Sequence, residues 1–335
     1  MCRCALLFAR IAWMLALGLV VAPAAGAQVY RLAELNVDQI RALDRQKTVI
    51  LLPGGILEEH GPYLPSYTDG YANERLTGAL AAAIGQRPGW KAVVFPVIPL
   101  GSGGANEIGA KYGFPGTYAV RPATLQAVFM DLATEFGEQG FRWIFVIHGH
   151  GSPSHNQALD EACDYFRDTY GGHMVHLAGL VPGPGPAGAV LASALPKVAL
   201  AEDGFTVHAG LAEHSELMAL RPDLVPPSVR KAPSVTGKDF SDLRRIAAGD
   251  AWTGYFGAPR FASPKLGSRL LDEENRAMVA LALRILDGLD EQQVPRYTAM
   301  MSKVPGIADV MDAAAKRDAA IEERQRQWLA RGGPR

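Results

Sequence analysis

The sequence predicts an α/β fold in which a mostly parallel sheet is flanked by helices. Short, continuous apolar runs such as 48–52 and 143–147 are typical of strands that are buried on both faces of a parallel sheet. Segments with apolar residues at helical spacing alternate with these runs along the chain. Because alternating strands and helices form parallel sheets joined by crossover connections, these observations together predict an α/β protein.

The first half of the chain supplies the predicted sheet and the helices that cover it. A lead-in with one short helix at 36–44 comes first. The predicted strands are 48–52, 92–100, 143–147 and 173–177, and the helices between and after them are 69–87, 122–138 and 156–170. The segment 101–117 is so dense in glycine that we expect it to be irregular.

The second half is predicted to consist of connections and helices. The predicted segments are loops at 180–189 and 223–268 and helices at 216–220, 272–289 and 309–329. For the first of these loops we favour a surface loop over an active-site lid. No internal repeat is present, so we interpret residues 28–290 as one domain. Residues 291–335 are interpreted as a helical extension that either docks on this domain or contacts another subunit.

Composition and charge favour an exported globular protein. The chain has 335 residues, of which 48% are hydrophobic, and its formal net charge is −1, so no basic excess points to nucleic acid or to a membrane surface.

Residues 1–27 combine arginines, an apolar run and a small-residue cleavage site, which is typical of a signal peptide. An uncleaved anchor helix is the alternative, but the apolar run is short and breaks at Pro23. We therefore expect a secreted, periplasmic protein that begins at Gln28.

Residues 54–69 carry the densest group of candidate metal ligands. Glu58 and His60 lie two residues apart, so in an extended chain they point to the same side while Glu59 points away. Asp69 follows in the same proline-stiffened loop. These side chains can hold one divalent metal ion, or two ions that share the aspartate. Such a trio also occurs by chance, so the loop alone is a weak indication of a metal site.

A second group of polar residues follows a different predicted strand. His148 and His150 come directly after the apolar run 143–147. Since ligand sites of parallel sheets lie at the carboxyl ends of the strands, we expect this loop to meet the loop that carries Glu58 and His60.

Four motifs in register resemble the creatininase (creatinine amidohydrolase) family. In chain order they are PGGILEEHGPYLPSYTD at 53–69, FPGT at 114–117, GFRWI and then HGHGSP within 140–153, and HAGLAEHS at 208–215. Their order and spacing match the family over roughly residues 48–290, which is far more specific than any one motif. The resemblance implies a creatininase-like, three-layer α/β fold with a mostly parallel sheet flanked by helices.

The resemblance also implies which residues form the site. The positions that match metal ligands are Glu58, His60, Asp69 and His150, with Asp69 bridging two ions. Glu213 occupies the acidic position of the last motif, and we take it as the remaining ligand. His208 matches a histidine that binds substrate and moves protons, a catalytic role that Glu213 could share. Two divalent ions are expected, with Zn²⁺ first and Mn²⁺ or Fe²⁺ as alternatives.

Some residues depart from the family's motifs. His148 replaces an asparagine, and it could coordinate a metal ion or support a ligand. Ser152 stands where creatininase itself has a glutamate ligand, so Glu213 must close the second metal site or that site is weaker. His214 replaces a threonine. Creatininase also places tryptophans over its ligand, whereas this chain has none between Ser152 and Asp250, so creatinine is a poor candidate substrate.

The expected function is hydrolysis of a cyclic or linear amide C–N bond by metal-activated water, in a homo-oligomer that takes a small-molecule amide. One rival is a metal-dependent hydrolase or isomerase that acts on another bond. A second rival is an exported ligand-binding protein with a degenerate, non-catalytic site. Structural roles are open for three of the residues: His208 could bond a loop carbonyl, Glu213 could lie in the first turn of a helix, and Asp69 could cap one.

Overall fold

A computed structural model describes residues 28–332 of the chain. Its described part contains one sheet of five strands, and every strand pair in it is parallel. The strands are β1 (Val29–Arg31), β2 (Thr48–Pro53), β3 (Lys91–Val94), β4 (Trp143–Ile147) and β5 (His173–His176). Their order in the sheet is β1-β3-β2-β4-β5. The predicted signal peptide, residues 1–27, lies outside the described residues.

Helices cover both faces of this sheet and continue beyond it. Those of the first half are α1 (Val37–Arg41), α2 (Thr68–Gly85), α3 (Pro122–Glu138) and α4 (Pro153–Tyr170). Those of the second half are α5 (Pro186–Ala194), α6 (Lys197–Asp203), α7 (Leu211–Leu220), α8 (Phe240–Ala248), α9 (Pro264–Leu286), α10 (Tyr297–Met301) and α11 (Ile307–Ala330). In the described residues, none of the helices has both the length and the apolar composition needed to cross a membrane.

The central strand β2 shows why its sequence is apolar without alternation. Ile50 and Leu52 point to one face of the sheet, where they join a core built with α3 and α4. Val49 and Leu51 point to the other face and pack with α2 and α9. All six residues of β2 are buried, as expected for a strand covered on both sides. The result is a three-layer arrangement of helices, sheet and helices, which confirms the predicted fold class.

One predicted strand of the first half needs correction, and one observed strand has no counterpart among the predictions. The strand predicted at 92–100 ends at Val94, because Pro96 and Pro99 have no N–H group to continue the hydrogen-bonded ladder. The edge strand β1 was not predicted, since its three residues are too few to show a pattern and none of them is buried.

The second half contains more helix than the sequence predicts. The loop predicted at 180–189 ends early, because Pro186 starts helix α5 in the first helical position, where a missing N–H costs nothing. The stretch predicted as connections at 223–268 includes α8, whose N-cap is Asp239. Helix α7 begins at Leu211, so Glu213 lies in its first turn.

Candidate metal centre

The candidate site lies at the carboxyl ends of β2 and β4, which are neighbours in the sheet. The Gly54 N–H donates to the carbonyl oxygen of Ile147 at 3.1 Å, so the loop after β2 starts against the end of β4. A Cβ atom on Gly54 would lie 1.8 Å from Nε2 of His148 and 2.2 Å from the carbonyl oxygen of Ile98. Only glycine fits at this junction, and its small size lets the two loops converge.

Three carboxylates are brought together here from three different segments. Glu58 is buried in the loop after β2, and its Oε1 accepts the Ala105 N–H at 2.5 Å. Asp69 lies in the first turn of α2. Glu213 lies in the first turn of α7, where its Oε2 accepts the Ala209 N–H at 2.6 Å. Oε2 of Glu58 is buried and has no hydrogen-bond partner within residues 28–332.

His60 presents one ring nitrogen to these carboxylates. Its Nδ1 lies 3.1 Å from the carbonyl oxygen of Glu58, and because a carbonyl only accepts, Nδ1 must carry the proton. The other nitrogen, Nε2, faces Oδ1 of Asp69 at 3.2 Å and Oε2 of Glu213 at 3.8 Å. In the neutral ring, the lone pair of Nε2 therefore faces two carboxylate oxygens, which can only accept hydrogen bonds.

His150 has the same arrangement with the two nitrogens exchanged. Its Nε2 donates to the carbonyl oxygen of Gly103 at 3.0 Å. Its Nδ1 faces Oδ2 of Asp69 at 2.9 Å and Oε2 of Glu58 at 3.4 Å. A backbone carbonyl that holds one nitrogen and fixes the tautomer is a typical support for a metal-ligating histidine.

The five predicted ligands form two triads that share Asp69. One triad is Glu58, Asp69 and His150, and the other is His60, Asp69 and Glu213. Within each triad the candidate ligand atoms lie no more than 4.8 Å from one another. Lone pairs that face carboxylates repel unless a cation lies between them, so the donor set fits a pair of divalent ions with a shared aspartate.

The pKa values of the same groups show how strongly the centre favours positive charge. Burial lowers the pKa of His60, but its hydrogen bond to Asp69 and the surrounding carboxylates outweigh burial and raise it to about 10. For His150, burial is likewise outweighed, here first by Glu58 and then by Asp69, and the pKa rises to about 9. Burial raises the pKa of Glu213 to about 7. In the absence of metal, protons would take the place of the ions.

His208 lies beside the two triads. Its Nε2 donates to the carbonyl oxygen of Glu59 at 2.6 Å, which leaves a lone pair on Nδ1. This Nδ1 faces Oε1 of Glu58 at 3.7 Å. Burial lowers the pKa of His208 well below its ordinary value, so the ring is a neutral acceptor directed into the site. It also forms a third group with Glu58 and His60 that has metal-ligand spacing.

Glu59 takes part in none of the three groups, in line with the expectation that it points away. Its Oε2 accepts the Thr117 hydroxyl at 3.2 Å, and its side chain is buried. Burial, together with the charge of Glu58, raises the pKa of Glu59 to about 9.

The residues that depart from the family's motifs do not join the triads. His148 is fully buried against Phe129, with ring centroids 5.1 Å apart, and burial lowers its pKa to about 3. Ser152 is the N-cap residue of α4 and contacts Ser154 through its hydroxyl at 3.0 Å. His214 is buried and donates from Nδ1 to the carbonyl oxygen of Gly210 at 2.9 Å. Glu213 reaches the centre from α7, where it belongs to the triad of His60 and Asp69, while the triad of His150 contains no residue from the position of Ser152.

The triads open into a cavity of about 570 Å³, and several residues of its wall are not among the site residues that the sequence predicts. Glu107, Glu216 and Glu274 contribute further carboxylates. Glu216 follows Glu213 by three residues on α7 and therefore shares its face, a spacing that could have revealed it. The contribution of α10 and α11 to the wall arises from long-range packing, for which the sequence offers no local signal.

Comparison with known proteins supports the same family over most of the chain. The creatininase family, described as creatinine amidohydrolase, matches residues 33–282. A relative named mycofactocin precursor peptide peptidase, from Mycolicibacterium smegmatis, is 32% identical over 120 residues. That match covers 35% of this chain and 45% of the relative, so the chain spans less than half of the relative's length.

Solved structures show the same fold. A creatinine amidohydrolase (creatininase) structure superposes with a TM-score of 0.58 at 22% identity and covers 76% of this chain and 97% of its own. A structure described as "Creatininase Mn" has a TM-score of 0.55 at 24% identity and covers 77% of this chain and 99% of its own. A further creatininase structure, of a variant, is described as a Zn-Zn type. With the family match and the fold in agreement, the chain belongs to the creatininase family of amidohydrolases.

Proposed function

We propose that this protein is a metal-dependent amidohydrolase that uses water to cleave an amide C–N bond. Glu58, Asp69 and His150 would hold one divalent ion, and His60, Asp69 and Glu213 the other. The observation that carries the proposal is the pair of histidines, His60 and His150, each of which donates one ring N–H to a backbone carbonyl and directs its other nitrogen at carboxylates. Such a centre requires cations, and its histidines and carboxylates are ligands that divalent metals accept.

Divalent ions at such a centre lower the pKa of water towards neutrality and polarise a substrate carbonyl. Zn²⁺ is our first choice for this mixed set of imidazole and carboxylate ligands, with Mn²⁺ or Fe²⁺ as alternatives. Structural neighbours described as Mn and Zn-Zn forms support this choice of metals.

His208 is the residue that we assign to proton transfer. With Nε2–H bound to the Glu59 carbonyl, its free Nδ1 can take a proton from the attacking water and return it to the leaving nitrogen. Glu213, which we also considered for this role, has Oε2 tied to the Ala209 amide. That anchoring suits a fixed ligand better than a proton carrier.

A peptide or another linear amide is the substrate class that we favour over creatinine. The relative named as a peptide peptidase supports an open-chain amide. No tryptophan lines the cavity within the part of the chain that the structure describes. Export to the periplasm and assembly into a homo-oligomer remain parts of the proposal. The rival, a non-catalytic binding protein, loses support because all five predicted ligands lie in the triads, while the departing residues His148 and His214 lie outside them.

A panel of peptides and lactams, followed by detection of released amine or of ring opening, tests the proposal. We expect turnover by the protein as purified, loss of turnover after chelation, and recovery when Zn²⁺ or Mn²⁺ is restored. The Asp69→Ala variant should stay inactive after the same treatment, because it removes the ligand common to both triads. Turnover that survives both chelation and this substitution would refute a metal-dependent mechanism at this centre.

A further inference from the structure

Part of the cavity wall next to the triads is apolar and comes from one segment of the chain. Tyr297 of α10 lines the cavity beside the apolar side chains that follow it in α10, α11 and the turn between them. The apolar wall, as we call it, consists of Met300, Met301, Val304, Ile307, Val310 and Met311. All six residues lie beyond residue 282, where the family match ends, so this wall is an addition to the shared domain.

Polar contacts fix the segment in place at several points. The Arg296 guanidinium donates to both carboxylate oxygens of Asp164, at 2.6 and 2.8 Å. The Tyr297 hydroxyl donates to the carbonyl oxygen of Gly151 at 2.9 Å, directly after His150 in the chain. Further along, Arg244 bonds Asp309 at 2.7 Å. The wall is therefore tied to the same loop that carries one of the predicted metal ligands.

The apolar side chains of the wall are not buried in a core of their own. Ile307 is the one buried residue of α11 in the described chain, and Met300 is 47% exposed. Met301, Val304 and Met311 are half-buried. Apolar surface that faces a cavity is stabilised when an apolar group covers it, and within residues 28–332 no lysine or arginine lines this cavity.

We propose that the apolar wall binds an aliphatic or aromatic substituent of the substrate, so that this enzyme selects amides that carry such a group. The inference rests on the proposed amidohydrolase function and specifies its substrate class. A cavity of about 570 Å³ has room for such a substituent beside the amide, since pockets for drug-sized ligands span about 300–1,000 Å³. Methionines contribute half of the wall, and their flexible side chains adapt to groups of different shape.

The test measures binding of n-alkyl carboxamides from acetamide to octanamide to the full-length protein, both metal-loaded and metal-free, by calorimetry. We expect affinity to rise by up to about fourfold for each CH₂ group that becomes buried. Val304→Asp and Met311→Asp should abolish this rise. The conservative Met311→Leu variant should keep it, and so should Ala320→Asp, which places the same charge on an exposed position of α11.

The outcomes separate this inference from the proposed function. If affinity does not depend on chain length in the wild type, or depends on it equally in Met311→Asp, the inference is wrong, whatever the metal content. If chain length matters and the two aspartate variants abolish its effect even in a protein that takes up no metal, the apolar wall is supported while the amidohydrolase proposal fails. Circular dichroism of each variant verifies that the fold is retained.

Discussion

Backbone carbonyls fix the tautomers of the two histidines in the centre, since the Glu58 carbonyl binds Nδ1 of His60 and the Gly103 carbonyl binds Nε2 of His150. The spacing of Glu58 and His60 predicts that both side chains point to the same side of the chain, and their ligand atoms do lie within 4.8 Å of one another. Which ring nitrogen faces the carboxylates depends on backbone carbonyls, one of which belongs to Gly103 of the distant glycine-rich segment. The sequence therefore indicates the ligand residues but not their tautomers.

Substitution of His208 separates a proton carrier from a metal ligand. His208→Gln should lower kcat/KM by about 10²–10⁴-fold, because it removes the acceptor nitrogen, and it should leave metal content unchanged. Amine release and elemental analysis measure the two quantities. His173→Gln is the control, since that side chain is 44% exposed and lies at the amino end of β5, whereas the centre lies at the carboxyl ends of the strands. Loss of an ion in His208→Gln would instead make His208 a ligand with Glu58 and His60.

Glu107 makes stability depend on pH in a predictable direction. Burial and the neighbouring Asp318 raise its pKa from the ordinary 4.5 to about 7, and its side chain is only 13% exposed. The folded state therefore binds more protons than the unfolded state between these values, and stability falls as pH rises from 4.5 to 7. Glu107→Gln should remove this loss and stabilise the protein at pH 8 by up to about 3 kcal/mol. Urea unfolding at pH 4.5 and 8 measures the effect, and an equal effect of the substitution at both values would contradict the assignment.

At the scale of elements, strands and helices differ in how well the sequence predicts them. The strand β4 and the helix α3 appear at the predicted positions, since continuous apolar residues and helical spacing are strong local signals. The sequence predicts the end of β3 too late, because a run of apolar residues continues past the prolines that stop the ladder. Helix α5 was missed because glycine and proline near its start suggest a loop. Its Val190 packs against α7 and α9, and such long-range contacts leave no local pattern.

Two glycine substitutions test how closely the loop after β2 approaches the end of β4. Gly54→Ala should destabilise the protein by about 1–3 kcal/mol or more, because the added methyl group meets the His148 ring and the Ile98 backbone. Gly78→Ala, on α2, meets nothing within 4 Å and should stabilise by about 0.4–1 kcal/mol. Denaturant unfolding of both variants measures the difference. Equal stability of the two would show that β2 and β4 do not converge as closely as described.

At the scale of the whole molecule, the parallel sheet explains why distant motifs meet. Strands β2 and β4 are neighbours although about 90 residues of chain separate them, so their carboxyl ends bring Glu58 and His150 together. The rule that ligand sites lie at the carboxyl ends of parallel strands predicts this meeting. It could not predict that α7 would deliver Glu213, because the approach of that helix depends on Ala209, which adopts a left-handed conformation with φ of 48°. The signal peptide and the oligomer stay predictions.

The metal content of the protein purified without chelator, determined by elemental analysis, tests the central claim most directly. We predict about two divalent ions per chain in the wild type and in Glu59→Ala, whose side chain lies outside both triads. Asp69→Ala should lose both ions, because each triad depends on that carboxylate. A wild type that holds no metal and takes up none on dialysis against Zn²⁺ or Mn²⁺ would contradict the account, and so would equal metal content in the wild type and Asp69→Ala.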